Sequence, residues 1–281
     1  KVTFSEKTIE LNGQKVFYLH HQGAGPALVI LHGFPGSHLG LLPFAESLDQ
    51  RHEIIMPDLP ACGGTDPLPG NHSMERYADW LSDFLTYAGV SNPVIIGHSF
   101  GARVALFFAL RHRDIAGRYV FLMPVVKVSG WIARLVSVGY RVVRRLPRNM
   151  GAMFFSSKFY ETASFFLSAQ VFKFVSVKER NEIIHRNNQH LKRLNPQIHW
   201  ELFNEFYGKD LSDLAKEIWV PALVIAATHD VLAMLPSVRT MAGRLSQGSL
   251  TVVRGAGHLL PFEQPSVVAG IIEQWLGKPL V

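Results

Sequence analysis

Three polar side chains of complementary chemistry, Ser99, Asp230 and His258, each lie within five residues of the end of a short apolar run. A serine hydroxyl becomes a good nucleophile only when an imidazole accepts its proton. The imidazole in turn needs a carboxylate that holds its tautomer and stabilises its cation. These residue types therefore predict an acyl-transfer site with Ser99 as nucleophile, His258 as base and Asp230 as orienting acid.

The residues around Ser99 predict a tight turn between a strand and a helix. The stretch Gly97-His98-Ser99-Phe100-Gly101 separates an apolar run from the helical pattern 102–111. Glycines leave room in such a turn where any Cβ would collide, and the serine takes a strained conformation that projects its hydroxyl. The N-terminus of the following helix presents free N–H groups to the same place, which suits an oxyanion. The alternative is a glycine-rich turn with a solvated serine.

Short apolar runs alternate with amphipathic stretches along most of the chain. The runs are typical of parallel strands buried on both faces and cover residues 27–31, 53–56, 94–96, 119–122, 222–226 and 250–253. Helical patterns cover residues 74–88, 102–111, 237–245 and 266–276. Before them, Asn12-Gly13 predicts a hairpin between residues 8–11 and 15–19. The alternation predicts an α/β fold with a mostly parallel, doubly wound sheet.

Residues 127–217 interrupt this alternation with aromatic and basic helical patterns but no core strand. We predict that they form a helical cap (lid), inserted into a core made of residues 1–126 and 218–281. The helical patterns of the cap cover residues 131–146, 154–166, 177–194 and 200–206. The cap contains 15 of the 28 Lys and Arg residues but only 8 of the 22 Asp and Glu residues, so the positive charge of the chain is concentrated there.

A second motif, His32-Gly33-Phe34-Pro35-Gly36, follows the run 27–31. Together with the serine turn it resembles the α/β-hydrolase fold superfamily, in which the triad residues come in the order Ser, Asp, His. The resemblance implies that the backbone N–H groups of Phe34 and Phe100 form the oxyanion hole. It covers residues 8–123 and 220–276 and is weak across the predicted cap.

The chain departs from the superfamily pattern in two places. The glycine often found shortly before the catalytic acid, here Asp230, is absent. The loop 57–66 resembles the usual Asp-x-x-Gly-x-Gly-x-Ser, but Ala61 and Thr65 differ from it. In this loop we interpret Asp58 and Asp66 as structural and Cys62 as a small buried apolar residue. Five histidines have structural or surface interpretations as well: His32, His38, His72, His98 and His229.

Substrate selection in this superfamily usually falls to the cap, whose aromatic side chains could cover an apolar acyl pocket. The residues that we expect to contact substrate are Phe34, Trp131, Phe155, Phe159 and Leu259. Most cap aromatics could instead pack within the cap. The cap also has a basic cluster that is either a solvated helix face or a surface for an anionic substrate or a membrane, namely Arg141, Arg144, Arg145 and Arg148.

These observations predict a serine hydrolase that cleaves a largely apolar carboxylic ester or a related acyl bond through an acyl-enzyme on Ser99. Carbon–carbon bond hydrolases, lactonases, thioesterases and acyltransferases use the same triad and remain alternatives. Haloalkane dehalogenases and epoxide hydrolases fit less well, because they place an aspartate at the position of Ser99. An alternative of another class is a non-catalytic ligand-binding or scaffold member of the fold.

Composition narrows the partners and the location. We predict no metal or organic cofactor, because the sequence has neither a ligand-spaced cluster nor a phosphate-binding loop. We predict no nucleic-acid partner either, since the positive charge lies among bulky apolar residues without a binding motif. The single cysteine excludes an internal disulfide and no signal peptide or transmembrane segment is visible, so we expect a cytoplasmic protein. The expected partner is a small acyl molecule, and the oligomeric state is left open.

Overall fold

A computed structural model describes most of the predicted core and one helix of the predicted cap. The described residues are 2–128, 194–206 and 209–277, with 150, 171, 174–176, 178–179, 181–183 and 185 between the first two ranges.

An eight-stranded sheet forms the centre of the described structure. Its strands are β1 (Ser5–Leu11), β2 (Gln14–His21), β3 (Ala27–Leu31), β4 (Glu53–Pro57), β5 (Val94–His98), β6 (Arg118–Leu122), β7 (Ala222–Ala227) and β8 (Gly248–Val253). They lie in the order β1-β2-β4-β3-β5-β6-β7-β8. Strand β2 pairs antiparallel with β1 and with β4, whereas β3 to β8 all run parallel to one another. The predicted α/β class with a mostly parallel sheet is therefore confirmed.

Helices connect the parallel strands. In the described residues they are α1 (Leu42–Ala45), α2 (Met74–Tyr87), α3 (Phe100–Arg111), α4 (Pro196–Phe206), α5 (Leu235–Ala242), α6 (Leu260–Glu263) and α7 (Pro265–Leu276), with 3-10 turns at His38–Gly40 and Ser212–Glu217. Helices α1, α6 and α7 pack together, and α2 packs on α3. Two separate groups of helices are the arrangement expected of a doubly wound sheet. None of the described helices has the length and apolar composition that crossing a bilayer requires.

Local sequence signals account for the bounds of several elements. Asn12 and Gly13 both have positive φ, 52° and 78°, which is the geometry of the tight turn between β1 and β2. The side chain of Ser73 accepts a hydrogen bond from the Arg76 N–H and so caps α2. Helix α5 begins two residues earlier than predicted, at Leu235, because Pro236 suits the first turn of a helix.

One strand differs from the expectation of burial on both faces. The first three residues of β8 are exposed, and Leu250 among them keeps 37% of its surface accessible. The reason is the position of β8, which forms the edge of the sheet and has a neighbouring strand on one side only.

The predicted cap is described only in part. Helix α4 confirms a helix where the pattern 200–206 predicted one, and it begins four residues earlier, at Pro196. The patterns 131–146 and 154–166 lie entirely outside the described residues. The boundaries of the cap at residues 127 and 217 stay a prediction.

Candidate active site

The sheet topology brings Ser99, Asp230 and His258 to one edge. Strands β5, β7 and β8 run parallel, and each of the three residues follows the carboxyl end of one of them. The carboxyl ends of parallel strands meet at the same edge of a sheet, which is where open α/β folds bind their ligands. All three side chains are buried, with 5%, 7% and 4% of their residue surface exposed.

Ser99 lies in a strained turn that only its glycine neighbours permit. Its backbone has φ 53° and ψ −107°, a combination that side-chain-bearing residues rarely adopt. A Cβ on Gly97 would lie 2.4 Å from the Gly101 carbonyl oxygen, and a Cβ on Gly101 would lie 2.3 Å from the Leu31 carbonyl oxygen. Both distances are far below van der Waals contact, so the two glycines are required by close backbone approach.

The three side chains form one continuous chain of hydrogen bonds. The Nε2 atom of His258 lies 2.9 Å from Oγ of Ser99, and its Nδ1 atom lies 2.7 Å from Oδ2 of Asp230. A carboxylate only accepts, so Nδ1–H is the donor to Asp230 and Nε2 is left to accept the serine proton. This is the geometry that activates a serine hydroxyl by general-base catalysis.

Backbone donors hold the Asp230 carboxylate from the other side. The N–H groups of Leu232 and Ala233 both donate to Oδ1, each at 2.8 Å. Burial raises the pKa of the Asp230 carboxyl, but the charge and hydrogen bond of His258 and the two N–H groups outweigh it, so the pKa lies below its ordinary value. Asp230 is therefore held as the anion that a protonated His258 needs beside it.

His98 contacts the backbone of the loop that contains His258. Its Nε2–H donates to the carbonyl oxygen of His258 at 2.9 Å, and the two rings lie 5.2 Å apart. Burial, followed by the nearby charge of His258, lowers the pKa of His98 to about 3. His98 is thus neutral, and its hydrogen bond holds the backbone of His258 in place.

Glu263 is a functional candidate to which the sequence interpretation assigned no role. Its Oε2 atom accepts the N–H of Gly257 at 2.8 Å, so it holds the residue that precedes His258. Burial raises the pKa of Glu263 above its ordinary value, although the nearby backbone N–H groups of Gly257 and Leu259 act in the opposite direction. Its position five residues after His258 was the available signal, because one turn of a short helix brings it back to the loop.

The loop after β3 passes directly beside the nucleophile. A Cβ on Gly33 would lie 3.3 Å from the Cβ of Ser99 and 3.0 Å from Nδ1 of His98. The next residue is Phe34, one of the two predicted oxyanion donors. The other, Phe100, is the first residue of α3, so its N–H has no partner within the helix. Phe100 therefore directly follows Ser99 in the chain, and Phe34 directly follows Gly33, which lies beside Ser99.

Other residues singled out in this region hold the loops in place. The Nδ1–H of His32 donates to the Gly33 carbonyl oxygen at 2.9 Å, and its Nε2 accepts the Leu59 N–H at 2.9 Å. Asp58 accepts the backbone N–H and the ring Nδ1–H of His38, and its other oxygen accepts the Gly64 N–H. These contacts agree with the structural roles expected of His32 and Asp58.

Cys62 is buried, with 1% of its surface exposed. Burial, together with the nearby charge of Asp58, raises the pKa of its thiol well above the ordinary range. A thiol that stays protonated is a poor nucleophile, which agrees with a packing role.

Of the five residues expected to contact substrate, two lie among the residues that the structure describes. Phe34 and Leu259 are half-buried beside the triad, whereas Trp131, Phe155 and Phe159 lie outside the described residues, as do the four arginines of the basic cluster. The structure adds two residues of α4 that sequence reasoning missed. The ring of His199 lies 5.9 Å from that of Phe34, and the ring of Phe206 stacks on Phe100 at 5.6 Å.

No group of three or more His, Cys, Asp or Glu side chains within the described residues is arranged to hold a metal ion.

Comparison with known proteins places the chain in a family. Over 131 residues, 47% of this chain, the sequence is 28% identical to an uncharacterized protein of Mycobacterium tuberculosis, of whose length the match covers 37%. It is 22% identical to (E)-2-((N-methylformamido)methylene)succinate hydrolase of Acinetobacter baylyi, with 96% of this chain and 97% of that protein aligned.

A thermophilic esterase of Thermogutta terrifontis, solved with malate bound, has a similar structure, with a TM-score of 0.73 and 24% identity. The alignment covers 97% of this chain and 98% of the esterase chain, and at this identity it shows a common fold. The family model described as alpha/beta hydrolase fold matches residues 26–265. Because this match spans most of the chain, the protein belongs to the alpha/beta hydrolase fold family.

Proposed function

We propose that the protein is a serine hydrolase that cleaves a carboxylic ester or a related acyl bond. The observation that carries the proposal is the hydrogen-bonded series from Ser99 through His258 to Asp230, with contacts of 2.9 and 2.7 Å. Asp230 is held as an anion, and Nε2 of His258 faces the hydroxyl whose proton it would accept.

In the acylation step, Oγ of Ser99 attacks the carbonyl carbon while its proton passes to Nε2 of His258. The carbonyl π electrons move to oxygen, and the N–H groups of Phe34 and Phe100 donate to this oxyanion. When the intermediate collapses, the bond to the leaving group breaks and His258 gives its proton to that group. Water then attacks the acyl-enzyme by the same route, which releases the acid and restores Ser99.

A serine nucleophile favours acyl transfer over alkyl transfer. Attack of Oγ on an epoxide or an alkyl halide would leave an ether on Ser99, with no carbonyl carbon for water to attack. The enzyme would stop after one turnover. An acyl-enzyme on Ser99 does have such a carbon, so esters and related acyl compounds are the substrates that this site can turn over.

Covalent labelling tests the nucleophile. A fluorophosphonate probe should modify the protein at Ser99, as shown by peptide mass spectrometry, and Ser99→Ala should abolish both labelling and ester hydrolysis. The control is Ser47→Ala, whose hydroxyl donates to the Pro43 carbonyl oxygen away from the triad. Labelling at another residue, or none in the wild type, would contradict the proposal and favour a non-catalytic member of the fold.

A substrate panel identifies the bond. We expect p-nitrophenyl esters to be hydrolysed with kcat/KM rising as the apolar acyl chain lengthens, since Phe34 and Leu259 beside the triad are apolar. Parallel assays with thioesters, lactones and carbon–carbon substrates compare the other acyl reactions. Faster turnover of one of these classes than of every ester would replace the ester assignment while leaving the role of Ser99 intact.

A further inference from the structure

Helix α4 contacts both residues whose N–H groups are proposed to bind the oxyanion. Near its start, the ring of His199 packs edge-on against Phe34 at 5.9 Å and an interplanar angle of 67°. At its end, the ring of Phe206 stacks on Phe100 at 5.6 Å and 29°. The position of this single helix thus constrains both sides of the proposed oxyanion hole.

Arg103 ties the end of α4 to the nucleophile helix. It lies on α3 one turn after Ser99 and is almost fully buried, with 1% of its surface exposed. Its guanidinium donates from one Nη atom to the Glu205 carbonyl oxygen at 2.8 Å, in the last turn of α4. The same guanidinium lies 5.0 Å from the centre of the Phe206 ring, within the range of a cation–π contact.

These contacts of Arg103 act on Glu205 and on Phe206, the residue that stacks on Phe100. Carbonyl groups at the end of a helix carry partial negative charge, so a cation is stabilised there. The aromatic face of Phe206 supplies a second attractive contact, and burial strengthens both because water does not screen them. Burying a guanidinium is nevertheless costly, and an apolar side chain would fill the same space at lower cost. Compared with an apolar side chain, the arginine constrains the orientation of the end of α4, because the hydrogen bond and the cation–π contact both depend on orientation.

A second polar contact holds the middle of α4. The side chain of Glu201 accepts the backbone N–H of His72 at 2.8 Å, from the loop that precedes α2. Among the described residues, polar contacts at Glu201 and at Glu205 thus attach the helix to the core. Of the two, the contact through Arg103 is the one adjacent to Phe100.

We propose that Arg103 is a positioning residue, which holds α4 as a fixed wall of the site and thereby orients Phe100 and Phe34 to bind the oxyanion. The inference rests on the proposed function, since it assigns Arg103 a role through those two residues. It predicts that loss of the guanidinium weakens binding of the transition state more than binding of the substrate.

The chain contains a matched control for this arrangement. Arg118 donates to the Leu276 carbonyl oxygen at 2.9 Å, at the end of α7, and lies 5.5 Å from the centre of the Trp275 ring. The types of contact are the same as those of Arg103, although Arg118 is only half-buried. However, Arg118 begins strand β6 and so lies at the amino edge of the sheet, opposite the edge that carries Ser99.

The experiment compares Arg103→Met with Arg118→Met in the full chain. Methionine keeps much of the apolar volume but removes the charge and the donors. For Arg103→Met we expect kcat on a p-nitrophenyl ester to fall by about 10- to 100-fold with KM changed less than threefold, because misplaced oxyanion donors reduce the rate by about that much. Arg118→Met should keep kcat within twofold while its melting temperature also falls. Arg103→Lys, which restores the charge, should recover part of kcat.

A transition-state analogue separates positioning from general stability. A trifluoromethyl ketone of the substrate's acyl chain forms a tetrahedral adduct whose oxygen occupies the oxyanion hole, whereas the methyl ketone does not form it readily. The Ki of the trifluoromethyl ketone should rise in Arg103→Met by the same factor by which kcat/KM falls, with the Ki of the methyl ketone unchanged. If Arg103→Met does not fold, Phe206→Leu should show the same pattern, since it removes both the cation–π contact and the stacking on Phe100.

The outcomes distinguish this inference from the function on which it rests. Unchanged kcat and inhibitor binding in both Arg103→Met and Phe206→Leu, with only a lower melting temperature, would make Arg103 a purely structural residue. Equal losses of activity in Arg103→Met and Arg118→Met would overturn the inference in the same way. A wild-type protein that is neither labelled at Ser99 nor active on any acyl substrate would overturn the proposed function itself.

Discussion

Replacing Asp230 by asparagine changes one atom, and the structure determines how the new amide must lie. Two backbone N–H groups, those of Leu232 and Ala233, point at Oδ1, each at 2.8 Å. Only the amide oxygen can accept from them, so the amide NH2 must take the place of Oδ2 and face Nδ1 of His258. Nδ1 then becomes an acceptor, and the ring proton moves to Nε2.

The consequence for catalysis follows from the tautomer. With Nε2 protonated, His258 presents an N–H to Oγ of Ser99 and cannot accept the serine proton. The carboxylate that would stabilise the imidazolium is lost as well. We therefore expect Asp230→Asn to lower kcat about 10⁴-fold, equivalent to about 5 kcal/mol of transition-state stabilisation. KM should change little, because substrate binding does not require proton transfer.

Pre-steady-state hydrolysis of p-nitrophenyl acetate, together with thermal unfolding, checks this expectation. The matched control is Asp79→Asn. Asp79 also accepts a hydrogen bond from a histidine, whose Nε2 atom lies 2.9 Å away in His112, but it lies on the surface of α2. The control should keep kcat within twofold. An Asp230→Asn variant that folds and retains kcat within tenfold of the wild type would refute the reasoning, because the orienting acid would then be another residue.

Three further predictions concern the surroundings of the triad. Gly101→Ala should unfold at a much lower temperature or fail to fold, because its Cβ would lie 2.3 Å from the Leu31 carbonyl oxygen, whereas Gly270→Ala in α7 meets nothing within 4 Å and should be neutral or stabilising; equal melting temperatures would contradict this. Because burial raises the pKa of Glu263, its carboxyl binds more protons in the folded protein than in the unfolded chain between pH 4.5 and that raised pKa, so the free energy of unfolding should fall with rising pH across this range relative to Glu263→Gln; parallel pH profiles from urea titration would argue against it. Native Cys62 should resist iodoacetamide at pH 8 and react fully in guanidinium chloride, as intact mass reports, and rapid native alkylation would show an accessible thiolate.

Much of the fold and the candidate triad could be predicted from local patterns. Parallel strands buried on both faces are short apolar runs, so their positions are visible in the sequence, and the helices between them predict a mostly parallel sheet. Ser99, Asp230 and His258 could be named because catalytic side chains of this fold follow strand ends. Glu263 was within reach for a similar reason, since its contacts are with residues only a few positions away.

Contacts between elements distant in sequence could not be predicted in this way. Arg103 and Arg111 lie on the same helix, α3, and nothing in their neighbours indicates that the first is buried against the end of α4 while the second pairs with Asp79 on the surface. The pairing of Phe206 with Phe100 depends on how α4 packs across a separation of 106 positions in the numbering. The sequence by itself determined the sheet, the turn at Ser99 and the types of the three candidate catalytic residues, because these depend on local periodicity and backbone sterics. Only the tertiary structure decided which side chains hold that turn and helix α4 in place, because packing contacts depend on the fold of the whole chain.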